Sequence, residues 1–73
     1  MQVQIAYQFP DEQRAYRFLN ELKHWPVADV RARYHRGNRS VRVDYQYADT
    51  GFDPTSSELD SLAASYGGQE TSL

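Results

Sequence analysis

ADVRARYHRGNRSVRVDY, residues 28–45, decides the fold. Its apolar side chains recur at every second position. Val30, Ala32 and Tyr34 precede Gly37-Asn38, and Val41, Val43, Tyr45 and Tyr47 follow it, the period of two strands that each bury one face. Gly-Asn suits a two-residue hairpin turn. With that turn at the tip, Tyr34 meets Val41, Ala32 meets Val43 and Val30 meets Tyr45, so these pairs line a core. On the other face Arg31 meets Asp44, and Arg33 meets Arg42 directly. Like charges so placed cost up to about 1 kcal/mol. Arg36 and Arg39 flank the turn, and His35 follows Arg33 on its face.

Two facing guanidiniums become favourable when an anion lies between them, because arginine grips phosphate or carboxylate through two parallel hydrogen bonds. Arg31, Arg33, His35, Arg36, Arg39 and Arg42 therefore form the candidate anion- or partner-binding set, for the phosphates of RNA or DNA or for an acidic protein segment. The plain alternative is a solvated face, since long arginines splay apart and keep an uncovered sheet soluble. Sheet surfaces that bind nucleic acid also present aromatic rings for base stacking, and here every strand tyrosine has core parity.

Upstream, Val3, Ile5, Tyr7 and Phe9 alternate with glutamines and form a first strand. Pro10, Asp11 and Glu12 open a helix in which Ala15, Phe18, Leu19 and Leu22 fall at i, i+3, i+4 and i+7, ending near His24 before Pro26. The second strand opens near Val27. Downstream, either Asp53-Pro54 supplies a cap and first helical residue or Thr55 and Glu58 form a capping box. Leu59, Leu62, Ala63 and Tyr66 then make a second helix that Gly67-Gly68 ends.

The order βαββα, with the second strand parallel to the first and the third between them, predicts a ferredoxin-like α+β fold. Three antiparallel strands carry two helices on one face, in one domain over residues 1–68. Residues 69–73, QETSL, are a tail or a short edge strand. Residues 1–9 carry no charged side chain and no proline, the usual devices that blunt a sheet edge. Gln2, Gln4, Ala6 and Gln8 are therefore candidate contacts for a partner strand, or for a second copy of the chain in a homodimer.

At 73 residues a single core supplies only about 3–5 kcal/mol. The chain has no cysteine, which excludes disulfides and thiolate metal sites and fits a reducing compartment. No apolar run approaches the roughly 20 residues of a membrane span, and MQVQIAYQF lacks the pattern of a signal peptide, so a cytoplasmic protein with no membrane contact is expected. The net charge of −2 hides an asymmetry: residues 48–73 hold five acids and no base, against the basic hairpin.

No catalytic, cofactor or metal site is expected. His24 and His35 lie on different elements, with no helical carboxylate pair beside either. Ser56, Ser57, Ser61 and Ser65 are helix-entry or helix-surface residues with no histidine set beside them. Glu58 and Asp60 suit the helix dipole. Trp25 reads as a lid on the core.

The succession FPDEQRAYRFLNEL, a hairpin, then DPTSSELDSLAASYGG resembles the RraB family of ribonuclease E regulators. The likeness is carried by Pro54-Thr55 at the start of the second helix and Tyr66-Gly67-Gly68 at its end. It implies a non-catalytic regulator that occupies another macromolecule, a nuclease or other acidic protein. Together with the uncharged first strand, it favours a small regulatory protein acting through protein contacts. The alternative is an electrostatic RNA- or DNA-binding module using the arginine face.

Overall fold

The computed structural model describes residues 2–26, 29–46 and 54–73. The elements run β1 (Gln2–Gln8), α1 (Glu12–Lys23), β2 (Val30–Tyr34), β3 (Ser40–Gln46), α2 (Thr55–Ser65) and β4 (Gln69–Thr71). The sheet has four strands in the order β2-β3-β1-β4, all neighbours antiparallel. The expectation of three strands is corrected. Gln69–Thr71 pairs with Ala6–Gln8 at the edge of β1.

The hairpin register is the expected one, Val30 on Tyr45 through Tyr34 on Val41. Its turn is wider than two residues. The His35 N–H donates to the Ser40 carbonyl at 2.9 Å, and residues 36–39 form the loop. Arg36 and Gly37 take positive φ, 55° and 116°. A two-residue and a four-residue loop centred on Gly37-Asn38 leave the same strand residues opposite one another, so the register survives the change of turn.

α1 begins where Asp11 takes an extended backbone and its Oδ1 accepts the Arg14 N–H at 2.8 Å, satisfying one of the orphan donors of the first turn. Ala15, Phe18, Leu19 and Leu22 are its buried face, and His24 is its C-cap. α2 starts at Thr55 with Pro54 at the cap position and no side-chain cap hydrogen bond there. Thr55 is thus a buried helical residue and not the cap of a capping box, and Asp53 lies outside the described residues. At the other end the Gly67 N–H donates to the Ala64 carbonyl and the Gly68 N–H to the Ala63 carbonyl, with Gly67 at φ 76°. This is the left-handed termination that closes a helix and redirects the chain, here into β4.

The core packs Tyr7, Phe18, Leu59, Val41 and Val43 between the sheet and both helices, with Phe9, Ala15 and Ala63 around them. Phe18 meets Tyr7 edge-on at 5.6 Å and Phe9 at 4.9 Å. Tyr34, expected in the core, is 43% exposed. Burial falls along β2: Val30 and Ala32 pack against the core, and Tyr34 at the hairpin end of this edge strand does not. Tyr47 and Val27 lie outside the described residues. Trp25 packs against the core and lines a shallow groove of about 410 Å³ with Tyr16 and Tyr66.

Two tyrosines tie the layers together. The Tyr7 hydroxyl donates to Asp60 Oδ1 at 2.5 Å, joining β1 to α2, and the Tyr66 hydroxyl donates to Glu21 Oε2 at 2.8 Å, joining α2 to α1. The Glu21 carboxylate raises the Tyr66 pKa by holding its proton. Burial first, and then Asp60, push the Tyr7 phenol above its ordinary value of 10.0. The folded chain keeps this proton where the unfolded chain begins to lose it, so the contribution is complete below about pH 10 and declines as pH rises beyond that. Tyr7→Phe is expected to cost about 1 kcal/mol at neutral pH and to flatten the alkaline loss of stability measured by urea unfolding. Equal alkaline slopes for the two proteins would mean that Tyr7 titrates alike folded and unfolded.

Candidate functional site

Side chains of one parity share the face of the sheet away from the helices. The register sets them in rows: Arg33, Arg42, Ala6 and Thr71 in one, and Arg31, Asp44 and Gln4 in the next. His35 follows Arg33 on this face at the hairpin end. The structure therefore brings Arg31, Arg33, His35 and Arg42 onto one surface, with Arg36 and Arg39 in the adjoining loop.

Asp44 changes the electrostatics expected of this surface. Although Arg31 stands opposite it in the register, its carboxylate is shared by Arg42, Nε to Oδ1 at 3.1 Å, and by Arg33, Nη2 to Oδ2 at 3.9 Å. Asp44 is 13% exposed, whereas Arg33 is 66% exposed. The anion between the two facing guanidiniums is thus supplied by the chain itself. Its choice is a matter of reach: Asp44 stands two residues along β3 from Arg42, and Arg33 is its diagonal neighbour on β2, within range of a long side chain. Among the described residues Arg31 and Arg39 make no ion pair.

The tail reaches the same surface from the opposite edge. Beyond β4 two oxygens of the chain meet side chains that reach from the end of the hairpin. Arg36 Nη2 donates to the Leu73 oxygen at 2.8 Å, and His35 Nε2 lies 3.3 Å from the Ser72 oxygen. Arg36, which makes the first of these contacts, is also the one non-glycine residue with positive φ among those described, a conformation that is uncommon for a side chain of this size. Ala6, expected to point outward as an edge contact, is 1% exposed. In the register it lies between Arg42 and Thr71.

Of the expected edge contacts, Ala6 and Gln8 are paired with Thr71 and Gln69, while Gln2 and Gln4 belong to the stretch of β1 whose outer side has no strand among the described residues. Sequence reasoning missed Asp44 as a shared counter-ion and Thr71, Ser72 and Leu73 as neighbours of the arginines. The spacing of Arg42 and Asp44 by two on one strand was the available signal for the first. Nothing in QETSL signalled the second.

No Phe, Tyr or Trp of the described strands faces this side of the sheet. Among the described residues no group of three or more His, Asp or Glu is placed to hold a metal ion, and no helix is long and apolar enough to cross a membrane. What the surface can do chemically is accept anions at Arg31, Arg39 and the exposed part of Arg33, and accept an extended backbone along β1. No family model, curated protein or solved structure matches the chain.

Proposed function

We propose that the chain is a small non-catalytic regulatory protein of the cytoplasm that works through protein contacts, made by its arginine face and the outer edge of β1 on a ferredoxin-like scaffold. The observation that carries this is Asp44 held between Arg33 and Arg42. An internal carboxylate relieves the like-charge pair without a phosphate. The face around it lacks the rings on which nucleic-acid binders stack bases. The element order and the strand order β2-β3-β1-β4 support the scaffold reading, and the RraB resemblance supports a regulator that occupies another macromolecule.

The test is an amide-resolved NMR titration of residues 31–42 with poly-glutamate, a short single-stranded RNA and a DNA duplex, at low and moderate salt. Saturable shifts are expected with poly-glutamate and not with the nucleic acids. Asp44→Asn, which releases Arg33 and Arg42, is expected to tighten poly-glutamate binding up to about fivefold, the worth of an ion pair of about 1 kcal/mol. Salt-sensitive saturation by RNA or DNA, abolished in Arg33→Glu/Arg42→Glu, would replace this reading with electrostatic nucleic-acid binding.

A further inference from the structure

Residues 69–73 lie where a partner strand would lie, and they fill the place poorly. β3 pairs with all seven residues of β1, whereas β4 pairs only with Ala6, Tyr7 and Gln8. The outer edge of Gln2–Ile5 has no strand among the described residues. After Thr71 the tail is held on the open face by two exposed contacts to backbone oxygens, from His35 and Arg36. Both oxygens belong to the main chain, so nothing in that grip is particular to the side chains of the tail.

The charges are also mismatched. Across the sheet Thr71 faces Arg42 with only the methyl of Ala6 between them; Arg33 and Arg42 share the single carboxylate of Asp44, which leaves their row one positive charge in excess, and Thr71 brings no charge to it. Glu70, the acid of the tail, pairs with Tyr7 and so has the parity of the helix side, away from the arginines. A carboxylate in the place of Thr71 would stand toward Arg42, and one in the place of Gln69 would stand toward the Arg36–Arg39 loop.

We propose that residues 69–73 form a displaceable strand, and that the outer edge of β1 takes in its place a longer, acidic, extended segment of a partner protein. That segment runs antiparallel to β1, pairs along Gln2–Gln8 and sets its carboxylates opposite Ala6 and Gln8, toward Arg42 and the hairpin loop. Strand addition supplies main-chain hydrogen bonds, and alternate side chains supply specificity. Opposed charge speeds the encounter and fixes the register. The inference rests on the protein-binding reading above and adds the form, direction and charge positions of the partner. A nucleic acid has no strand to add.

The probe is an acetylated and amidated seven-residue peptide, Glu-Val-Glu-Val-Gln-Val-Gln, whose glutamates fall opposite Gln8 and Ala6. It is titrated into the isotope-labelled full chain, beside a counterpart carrying lysine for both glutamates. Amides of Gln2–Ile5 are expected to shift, and those of Gln2 and Gln4, whose N–H groups point away from β3, to gain exchange protection, while those of residues 69–73 move toward values of a free chain. The lysine peptide is expected to bind roughly tenfold more weakly, a difference that shrinks with salt. Shifts confined to residues 31–42, with Gln69–Thr71 still protected, would overturn strand displacement and leave the protein-binding reading standing. Absence of any shift would overturn the displacement too, while the poly-glutamate titration judges the broader reading separately. Sedimentation of the chain alone as a dimer, with the outward amides of Gln2 and Gln4 already protected, would overturn the proposal in favour of a second copy on that edge.

Discussion

Phe18→Ala is expected to abolish cooperative folding at room temperature. Phe18 is 0% exposed and lies on the buried face of α1 beneath the sheet. Its ring stands edge-on to Tyr7 at an interplanar angle of 69° and tilted against Phe9 at 42°, so it is the shared neighbour of an aromatic residue near the end of β1 and of the one just beyond it. Truncating a buried phenylalanine to alanine costs about 3–5 kcal/mol, because transfer energy is lost and a cavity remains. A domain of this size has about 3–5 kcal/mol in all. Loss of the thermal transition in circular dichroism and collapse of amide dispersion in NMR are the readouts. Phe18→Leu, which keeps most of the volume, is expected to melt cooperatively at a lower temperature. A Phe18→Ala protein that melts within a few degrees of the parent would show that the Tyr7-Phe9-Phe18 cluster is not the centre of stability.

Gly68→Ala is expected to have the second-largest effect, although the change is one methyl group. A Cβ at Gly68 would stand 2.5 Å from Phe9 Cε1 and 2.9 Å from Cδ1 and Cζ. The Phe9 ring cannot simply turn aside, being 2% exposed and packed against Phe18. Either the core deforms or β4 moves off β1. Overpacking of this kind costs about 1–3 kcal/mol, which in a domain of this length lowers Tm by roughly 10 °C. Gly67→Ala makes a useful contrast, because its cost comes from the left-handed backbone at φ 76° and a milder 3.3 Å approach to Pro10 Cγ, about 1 kcal/mol. Equal melting of Gly68→Ala and the parent would mean that Phe9 yields freely. Loss of exchange protection confined to Gln69–Thr71 would mean that the strain is relieved by releasing β4.

The glycine substitutions concern the seam between the end of β1 and the end of α2, and that seam separates what was legible in the residues from what was not. Ala15, Phe18, Leu19 and Leu22 announced a buried helical face by their spacing alone, and the alternation of residues 30–34 and 41–45 announced two strands and their register. These signals are local: a repeat of 3.6 or of 2 puts side chains on one side of an element whatever lies beyond it. Gly67 was readable for the same reason, since a helix end wants a residue that tolerates positive φ.

Tertiary structure decided the rest. QETSL has no periodicity of its own, and it becomes a strand only because Gly68 fits against Phe9 and delivers it to an edge already built by β1 and β3. The exposure of Tyr34 depends on its place at the end of an edge strand, beyond the reach of the packed core. Asp44 chooses Arg33 and Arg42 over Arg31 by the reach of side chains across neighbouring strands, which the register alone does not specify. By itself the sequence determined the hairpin pairing, the two helices and the basic character of the open face, because each depends on chain neighbours or on charges that no fold can remove. How those charges are partly neutralised, and which part of the β1 edge stays open, depends on contacts between residues distant along the chain, and only the folded arrangement brings those together.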